Sequence, residues 1–285
     1  MSILKFFKNL FSKKNSETCC KSSANSVGKF SLHIGINNYP GTANDLRGCV
    51  NDANNWEKLL REQYGFKTSK LLDKYAINRR VVKKIKEIVN LAETGSHIVI
   101  TFSGHGTNVR DLNGDEEDRR DEALCLFDKL LIDDDLRALL SEVKEGIKLT
   151  FISDSCHSGT VTRSFLNSIY EEDAPKPRYL PPQDDNEAFE LASKNISKKI
   201  FQANEEMDEV LLTGCKSSEY SYDAKIDGSF QGAMSAHAIK IIESDPNITY
   251  AELYQRLRKD LPCRRYPQTP QLEGREENLN SSVFS

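Results

Sequence analysis

The chain has 285 residues, enough for one full hydrophobic core or two small ones. Hydrophobic residues make up 38% and charged residues 29%, and the net charge of -4 argues against nucleic acid as the main partner, which would select a basic face. The seven cysteines (Cys19, Cys20, Cys49, Cys125, Cys156, Cys215 and Cys263) are odd in number and form no C-x-x-C pair. This argues against a disulfide framework or a zinc knuckle and for reduced thiols in a cytoplasmic setting.

Residues 1–15 alternate Ile3, Leu4, Phe6, Phe7, Leu10 and Phe11 with lysines at helical spacing. The stretch is too short and too charged to span a bilayer. Three places remain for its apolar face: an anionic membrane surface, a partner's groove, or the chain's own domain as a propeptide helix. With the polar run that follows, residues 1–29 read as a separate segment, and 30–285 as the folded body.

In the body, Phe30 to Gly35 is an apolar strand ending at Asn37, Asn38, Pro40 and Gly41. A helix follows over Leu46 to Tyr64, then a strand over Thr68 to Leu72 and a helix over Arg80 to Leu91. His97 to Phe102 is a β-branched, apolar strand that runs into Ser103-Gly104-His105-Gly106. A short strand near Ala123 to Phe127 and a helix over Asp135 to Val143 precede the strand Leu149 to Ser153, which runs into Asp154-Ser155-Cys156-His157-Ser158-Gly159. A long polar stretch, about 160 to 208, is expected to be a functional or disordered insertion. Then come a strand over Val210 to Gly214, helices over Gly232 to Ile242 and Tyr250 to Leu257, and a strand over Thr269 to Leu272. The alternation predicts an α/β fold, a mostly parallel sheet with helices on both faces.

In such sheets functional residues gather beyond the carboxyl ends of the strands. Here two buried strands end in reactive residues beside glycines, His105 and Cys156. A thiol attacks an acyl carbon only as thiolate, and with a free pKa of about 8.5 it needs a base. A histidine can take that proton and return it to the leaving group. Against this stand a satisfied loop histidine with a buried thiol, and a metal site of His105, Cys156 and His157 that lacks a fourth ligand at sensible spacing.

The Ser-Gly-His-Gly and Asp-Ser-Cys-His-Ser-Gly motifs, about fifty residues apart, resemble the metacaspase branch of the caspase-like cysteine proteases (clan CD, peptidase family C14). Gly35-Ile36-Asn37-Asn38-Tyr39, Leu46-Arg47-Gly48-Cys49-Val50-Asn51-Asp52-Ala53 and Gln268-Thr269-Pro270-Gln271-Leu272 extend the likeness over about Phe30 to Gly274. The resemblance implies a caspase-like sandwich, endopeptidase activity, zymogen behaviour, a Cys156–His105 dyad, and the amides of Gly106 and Cys156 as oxyanion donors. It also places Asp52 and Asp154, with Cys49 and Ser103, in the pocket for the residue before the cut. Two carboxylates in a narrow pocket call for a cation, arginine first and lysine second. It further implies calcium at Asp121, Asp133 and Asp134, although the fourth position of that pattern is Arg163 here; a solvated acidic face is the alternative.

Protein or peptide substrates with Arg or Lys before the cut, a monomeric state, and self-cleavage after Arg163, Arg178, Lys198-Lys199 or the N-terminal lysines (Lys13, Lys14, Lys21, Lys29) are the resulting expectations. The rival classes are a silent caspase-like scaffold acting through its N-terminal helix, and an acyl or thioester hydrolase using the same dyad.

Overall fold

Strand β1 (Lys29–Gly35) shows how the sequence pattern becomes a layered fold. Phe30, Leu32 and Ile34 point to one face and join the cluster built on helix α2 (Asn78–Leu91), while Ser31, His33 and Gly35 point to the other. Across the sheet β3 (His97–Ser103) does the same, with Ile98, Ile100 and Phe102 on the α2 side and Val99 in the second cluster. These elements belong to a computed structural model that describes residues 27–41, 43–110, 120–156, 173–181 and 209–285. The amphipathic stretch at 1–15 and most of the 160–208 insertion lie outside the described residues.

The remaining elements are α1 (Cys49–Tyr64), β2 (Lys67–Leu72), β4 (Gly106–Arg110), β5 (Arg120–Cys125), β6 (Leu130–Ile132), α3 (Asp133–Leu140), β7 (Lys148–Asp154), β8 (Lys176–Pro177) and β9 (Glu209–Thr213). They continue with β10 (Tyr222–Ile226), β11 (Ser229–Gly232), α4 (Ala233–Ser244), α5 (Tyr250–Asp260), β12 (Gln271–Glu273) and α6 (Glu276–Leu279). The main sheet has the order β12-β9-β7-β3-β1-β2, parallel throughout except for β12, which runs antiparallel to β9. Helices α2 and α3 cover one face; α1, α4 and α5 cover the other. The expected α/β sandwich is therefore present. Two small antiparallel sheets, β4-β5-β6 and β11-β10-β8, sit beside it. Among the described residues no helix is long and apolar enough to cross a membrane.

Gly35 sets how closely α1 approaches the sheet. A Cβ there would collide with the Cys49 carbonyl oxygen and come within 2.9 Å of the Ala53 methyl. The helix starts at Cys49 and not at Leu46, because the amides before it are already engaged. Leu46 donates to the Asn37 carbonyl, and Arg47 and Gly48 donate to the Asp223 carboxylate. Helix α3 starts two residues earlier than its apolar spacing suggests, with Asp133, Asp134 and Asp135 in the first turn, where the helix dipole favours negative charge. The β10–β11 hairpin turns at Asp227-Gly228, both at positive φ (49° and 85°), a pairing that favours a tight two-residue loop.

Three histidines are buried in this frame. His33 bridges Ser31 and Thr101 at 2.8 and 3.0 Å, and His97 meets Thr150 at 3.0 Å. Burial pushes His33 down to about 3, and His97 and His105 down to about 4. A pKa held below the unfolded value means the unfolded chain binds more protons in the window between the two. Stability should therefore be full above about pH 6.5, the ordinary histidine value, and fall as pH drops towards 4. Denaturant melts at stepped pH should show this slope, and His33→Gln should flatten part of it; an unchanged slope would mean His33 does not titrate on unfolding.

Candidate active site

Because β3 and β7 are adjacent and parallel, with Ser103 opposite Asp154, the two residues that follow these partners arrive at the same end of the sheet. They are His105 and Cys156, which thus leave the carboxyl edge side by side. The amides of Gly106 and Cys156 converge on one atom, the carbonyl oxygen of Arg178, at 3.0 and 3.1 Å. A carbonyl oxygen held by two backbone N–H donors beside a thiol is the arrangement that stabilises a developing oxyanion.

His105 is buried and fixed at three points. Its amide donates to the Tyr39 hydroxyl (2.8 Å), its ring lies 4.9 Å from the Tyr39 ring, and Nε2 is 2.7 Å from the Asn44 carbonyl oxygen. A carbonyl can only accept, so Nε2 carries the proton and Nδ1 keeps its lone pair. Nδ1 is buried and has no partner among the described residues. Burial, and to a smaller degree the nearby Arg178 charge, push the imidazole down to about 4 against the pull of the Asn44 carbonyl. It is neutral at pH 7 and free to accept a proton at Nδ1.

The Cys156 thiol is fully buried and accepts the Ser221 amide at 2.6 Å, with the Ser221 carbonyl oxygen 3.3 Å away. Cys215 follows β9 as Cys156 follows β7, and its thiol lies 3.4 Å from the Glu219 carbonyl oxygen. The neighbouring Cys156 thiol, with burial, pushes the Cys215 thiol well up. Sequence reasoning did not single out Cys215 or Ser221; both come from the β9–β10 connection, whose closure over the thiol has no local signature.

Arg178 is the other centre of the site. Its guanidinium is fully buried and meets Asp52 at 2.6 Å, Asp223 at 3.1 Å and Asp154 at 3.5 Å, while Nη1 also donates to the Asp154 carbonyl (3.0 Å). Asp52 comes from the first turn of α1, Asp154 from the end of β7 and Asp223 from β10. Three carboxylates around one cation leave excess negative charge, which backbone donors answer. Gly232 donates to Asp52 at 2.9 Å, Ser235 at the start of α4 to Asp154 at 2.9 Å, and Arg47 and Gly48 to Asp223 at 2.7 and 2.8 Å. Burial raises Asp52 to about 6, with Arg178 pulling the other way. For Arg178, burial works against the charge, but Cys49, Asp52, Asp154 and Asp223 outweigh it and lift the guanidinium well up. Gly232 is required here, because a Cβ would strike both the Asp154 carboxylate and the guanidinium.

Asp52 and Asp154 are thus brought together as expected, and Asp223 is a third member that the sequence reading lacked. Cys49 opens α1, fully buried, its thiol raised by burial and opposed by the Arg178 charge. Ser103 is buried at the end of β3, opposite Asp154. His157 and Arg163 lie outside the described residues.

Within the polar insertion at about 160–208, residues 173–181 have a defined place. Ala174, Lys176 and Leu180 each precede a proline, and that position is driven to extended backbone. The chain therefore enters and leaves Arg178 already straight. Lys176-Pro177 pairs antiparallel with Tyr222-Asp223, and the Arg178 amide donates to the Ser221 carbonyl (2.9 Å). Beyond Arg178, Leu180 donates to the Gly106 carbonyl (3.0 Å).

Asp121 is buried in β5, and Asp133 and Asp134 lie in the first turn of α3. Among the described residues no group of three acid, histidine or cysteine side chains could hold a metal ion. Arg137 meets Asp133 at 2.8 Å and Asp134 at 4.0 Å. Asp133 keeps one buried oxygen without a partner among the described residues, and burial raises it to about 6, so it keeps its proton to a higher pH than an ordinary carboxyl does.

A family model described as peptidase C14, caspase domain, matches residues 29–278. The chain belongs to the caspase-domain family. Among curated relatives, Metacaspase-1 of Kluyveromyces lactis is 29% identical over 86% of this chain and 66% of its own length. Metacaspase-1 of Saccharomyces cerevisiae is 30% identical over 85% of this chain and 65% of its own. The chain thus spans just under two thirds of these relatives. Among solved structures, a Geobacter sulfurreducens protein superposes with a TM-score of 0.72 at 27% identity, covering 91% of this chain and 99% of that one. Caspase-1 of Spodoptera frugiperda shares the fold, with a TM-score of 0.56 at 10% identity over 88% of this chain and 87% of its own.

If the guanidinium holds the 176–180 segment in the cleft, its removal should free that segment, since breaking a buried ion pair costs about 3–5 kcal/mol. In a Cys156→Ala chain, adding Arg178→Met should speed hydrogen exchange at the amides of Gly106, of position 156, and of positions 176 and 178–180. Exchange should stay slow in β1 and β3. Unaltered protection at Gly106 and at position 156 would show that the segment is held by something else.

Proposed function

We propose that this caspase-domain protein is a cysteine endopeptidase that cuts after arginine or lysine, and that the Arg178–Tyr179 bond is one it cuts in itself. One observation carries the proposal: Arg178 lies in the cleft as a substrate would. Its side chain is enclosed by Asp52, Asp154 and Asp223, and its carbonyl oxygen sits on the amides of Gly106 and Cys156.

The chemistry follows from the positions of these groups. Nδ1 of His105 takes the Cys156 proton, its ring held by the Nε2–H bond to Asn44. The thiolate attacks the carbonyl carbon of the basic residue, and the oxygen, now negative, is stabilised by the two amides that already hold it. His105 passes its proton to the leaving amine as the C–N bond breaks, and water then hydrolyses the thioester with His105 as base. Burial of the imidazole suits it to the neutral, accepting state from which this cycle starts. The bond-making and bond-breaking steps use protein groups alone.

Arginine fits the pocket better than lysine because its planar fork reaches Asp52 and Asp223 through one nitrogen and Asp154 through another. Lys29 is a poor self-cleavage site. It opens β1, paired with β3, and its ammonium donates to the Phe284 carbonyl at 2.7 Å, so cutting there would need the sheet to open. The other expected sites, Lys13, Lys14, Lys21, Arg163 and Lys198-Lys199, lie outside the described residues. A silent scaffold is not favoured, since it leaves the basic side chain in an acidic pocket beside a thiol without a use.

Purified wild type should yield a fragment ending at Arg178 and another starting at Tyr179 by intact mass, and Cys156→Ala or His105→Ala should yield neither. Cleavage of Arg-containing peptides should fall roughly hundredfold in Asp52→Asn and Asp223→Asn, the scale of a broken buried ion pair. Retained self-cleavage in Cys156→Ala would refute the assigned nucleophile, and equal turnover of Arg and Asp peptides would refute the assigned pocket.

A further inference from the structure

The residues after Arg178 are placed as definitely as those before it. The Tyr179 ring packs against the Tyr220 ring, with centroids 5.9 Å apart and planes at 54°. Tyr179 also bridges in parallel to Gly106, and Leu180, half-buried, packs on the core cluster below β3 after its amide has bonded the Gly106 carbonyl at 3.0 Å. Gly106 therefore uses its amide on the residue before the bond and its carbonyl on the second residue after it.

Tyr220 is fixed in this position by its neighbour. Ser221 gives its amide to the Cys156 thiol and its carbonyl to the Arg178 amide, so the tyrosine one residue earlier is carried to the departing side of the bond. Its hydroxyl is buried without a partner among the described residues. Burial and then the nearby Tyr179 hydroxyl and Cys156 thiol push that hydroxyl's pKa up, which agrees with a location between the two.

We propose that the cleft has a built aromatic subsite, formed by Tyr220, for the residue directly after the cut, and an apolar subsite for the next residue, occupied here by Leu180. The preferred substrates are chains with a basic residue followed by an aromatic and then an apolar one. This rests on the reading that the site cuts after arginine. Two aromatic rings in a tilted contact favour each other beyond simple burial by an amount that corresponds to about threefold to tenfold in rate.

The test uses internally quenched peptides with Pro-Arg before the cut, Leu at the second position after it, and Tyr, Phe, Ala, Gly or Asp between. They are assayed with the wild-type chain and with Arg178→Ser, which removes the competing internal side chain. Tyr and Phe peptides should show about threefold to tenfold higher kcat/KM than Ala. The Tyr-to-Ala ratio should collapse towards one in Tyr220→Ala and persist in Tyr220→Phe, which keeps the ring. Equal rates across the series overturn the aromatic subsite while the arginine reading stands. A preference that survives Tyr220→Ala removes Tyr220 from the subsite, and no cleavage of any peptide by either chain overturns both readings.

Discussion

A guanidinium enclosed by three carboxylates, with no solvent reaching it, is the arrangement on which the rest of the cleft depends. Charges of one sign cannot be gathered in a dry space without a counter-charge and donors on every remaining lone pair. Here the counter-charge is Arg178, and the donors are amides of Arg47, Gly48, Gly232 and Ser235. Those amides come from three separate places in the chain. Neutralising the pocket therefore also fixes the loop before α1, the end of β11 and the start of α4 relative to one another.

The parallel sheet supplies what that charge cluster cannot, which is the alignment of the reacting groups. His105 and Cys156 need no long-range coincidence to meet, because β3 and β7 are hydrogen-bonded neighbours in register. The backbone of β9 and β10 then closes the third side, with Ser221 touching the thiol and the Arg178 backbone at once. The polar face of the sheet under α1 has its own logic. His33, Ser31, Thr101, His97 and Thr150 satisfy one another there, which lets buried polar groups sit beneath a closely packed helix.

Much of this was legible in the chain itself. The five parallel strands and the two reactive strand ends stand in local patterns, apolar runs and glycines beside reactive residues, while two of the three carboxylates, Asp52 and Asp154, came from the family resemblance. What was missed falls into two kinds. The β10–β11 hairpin did carry a signal, Asp227-Gly228 between strand-like residues, which the reading passed over. Asp223, Ser221, Asn44 and Tyr220 carried none, since each acts through a contact across tens of residues. Arg178 lay between. The prolines around it announced extended chain, but only the acidic pocket shows why that stretch has one defined place in a polar insertion.

The short loop from Asn44 to Gly48 has a double duty with a consequence for how such an enzyme could change its taste in substrates. Its first residue steadies the imidazole and its last two rest on Asp223. Exchanging that acid for a neutral or basic group, as recognition of acidic side chains would demand, strips two amides of their acceptor and loosens the turn that aims the base. On the proposed preference for basic residues, selectivity and turnover are in this way geared together: a lineage departing from it would first have to rebuild this turn on some other anchor.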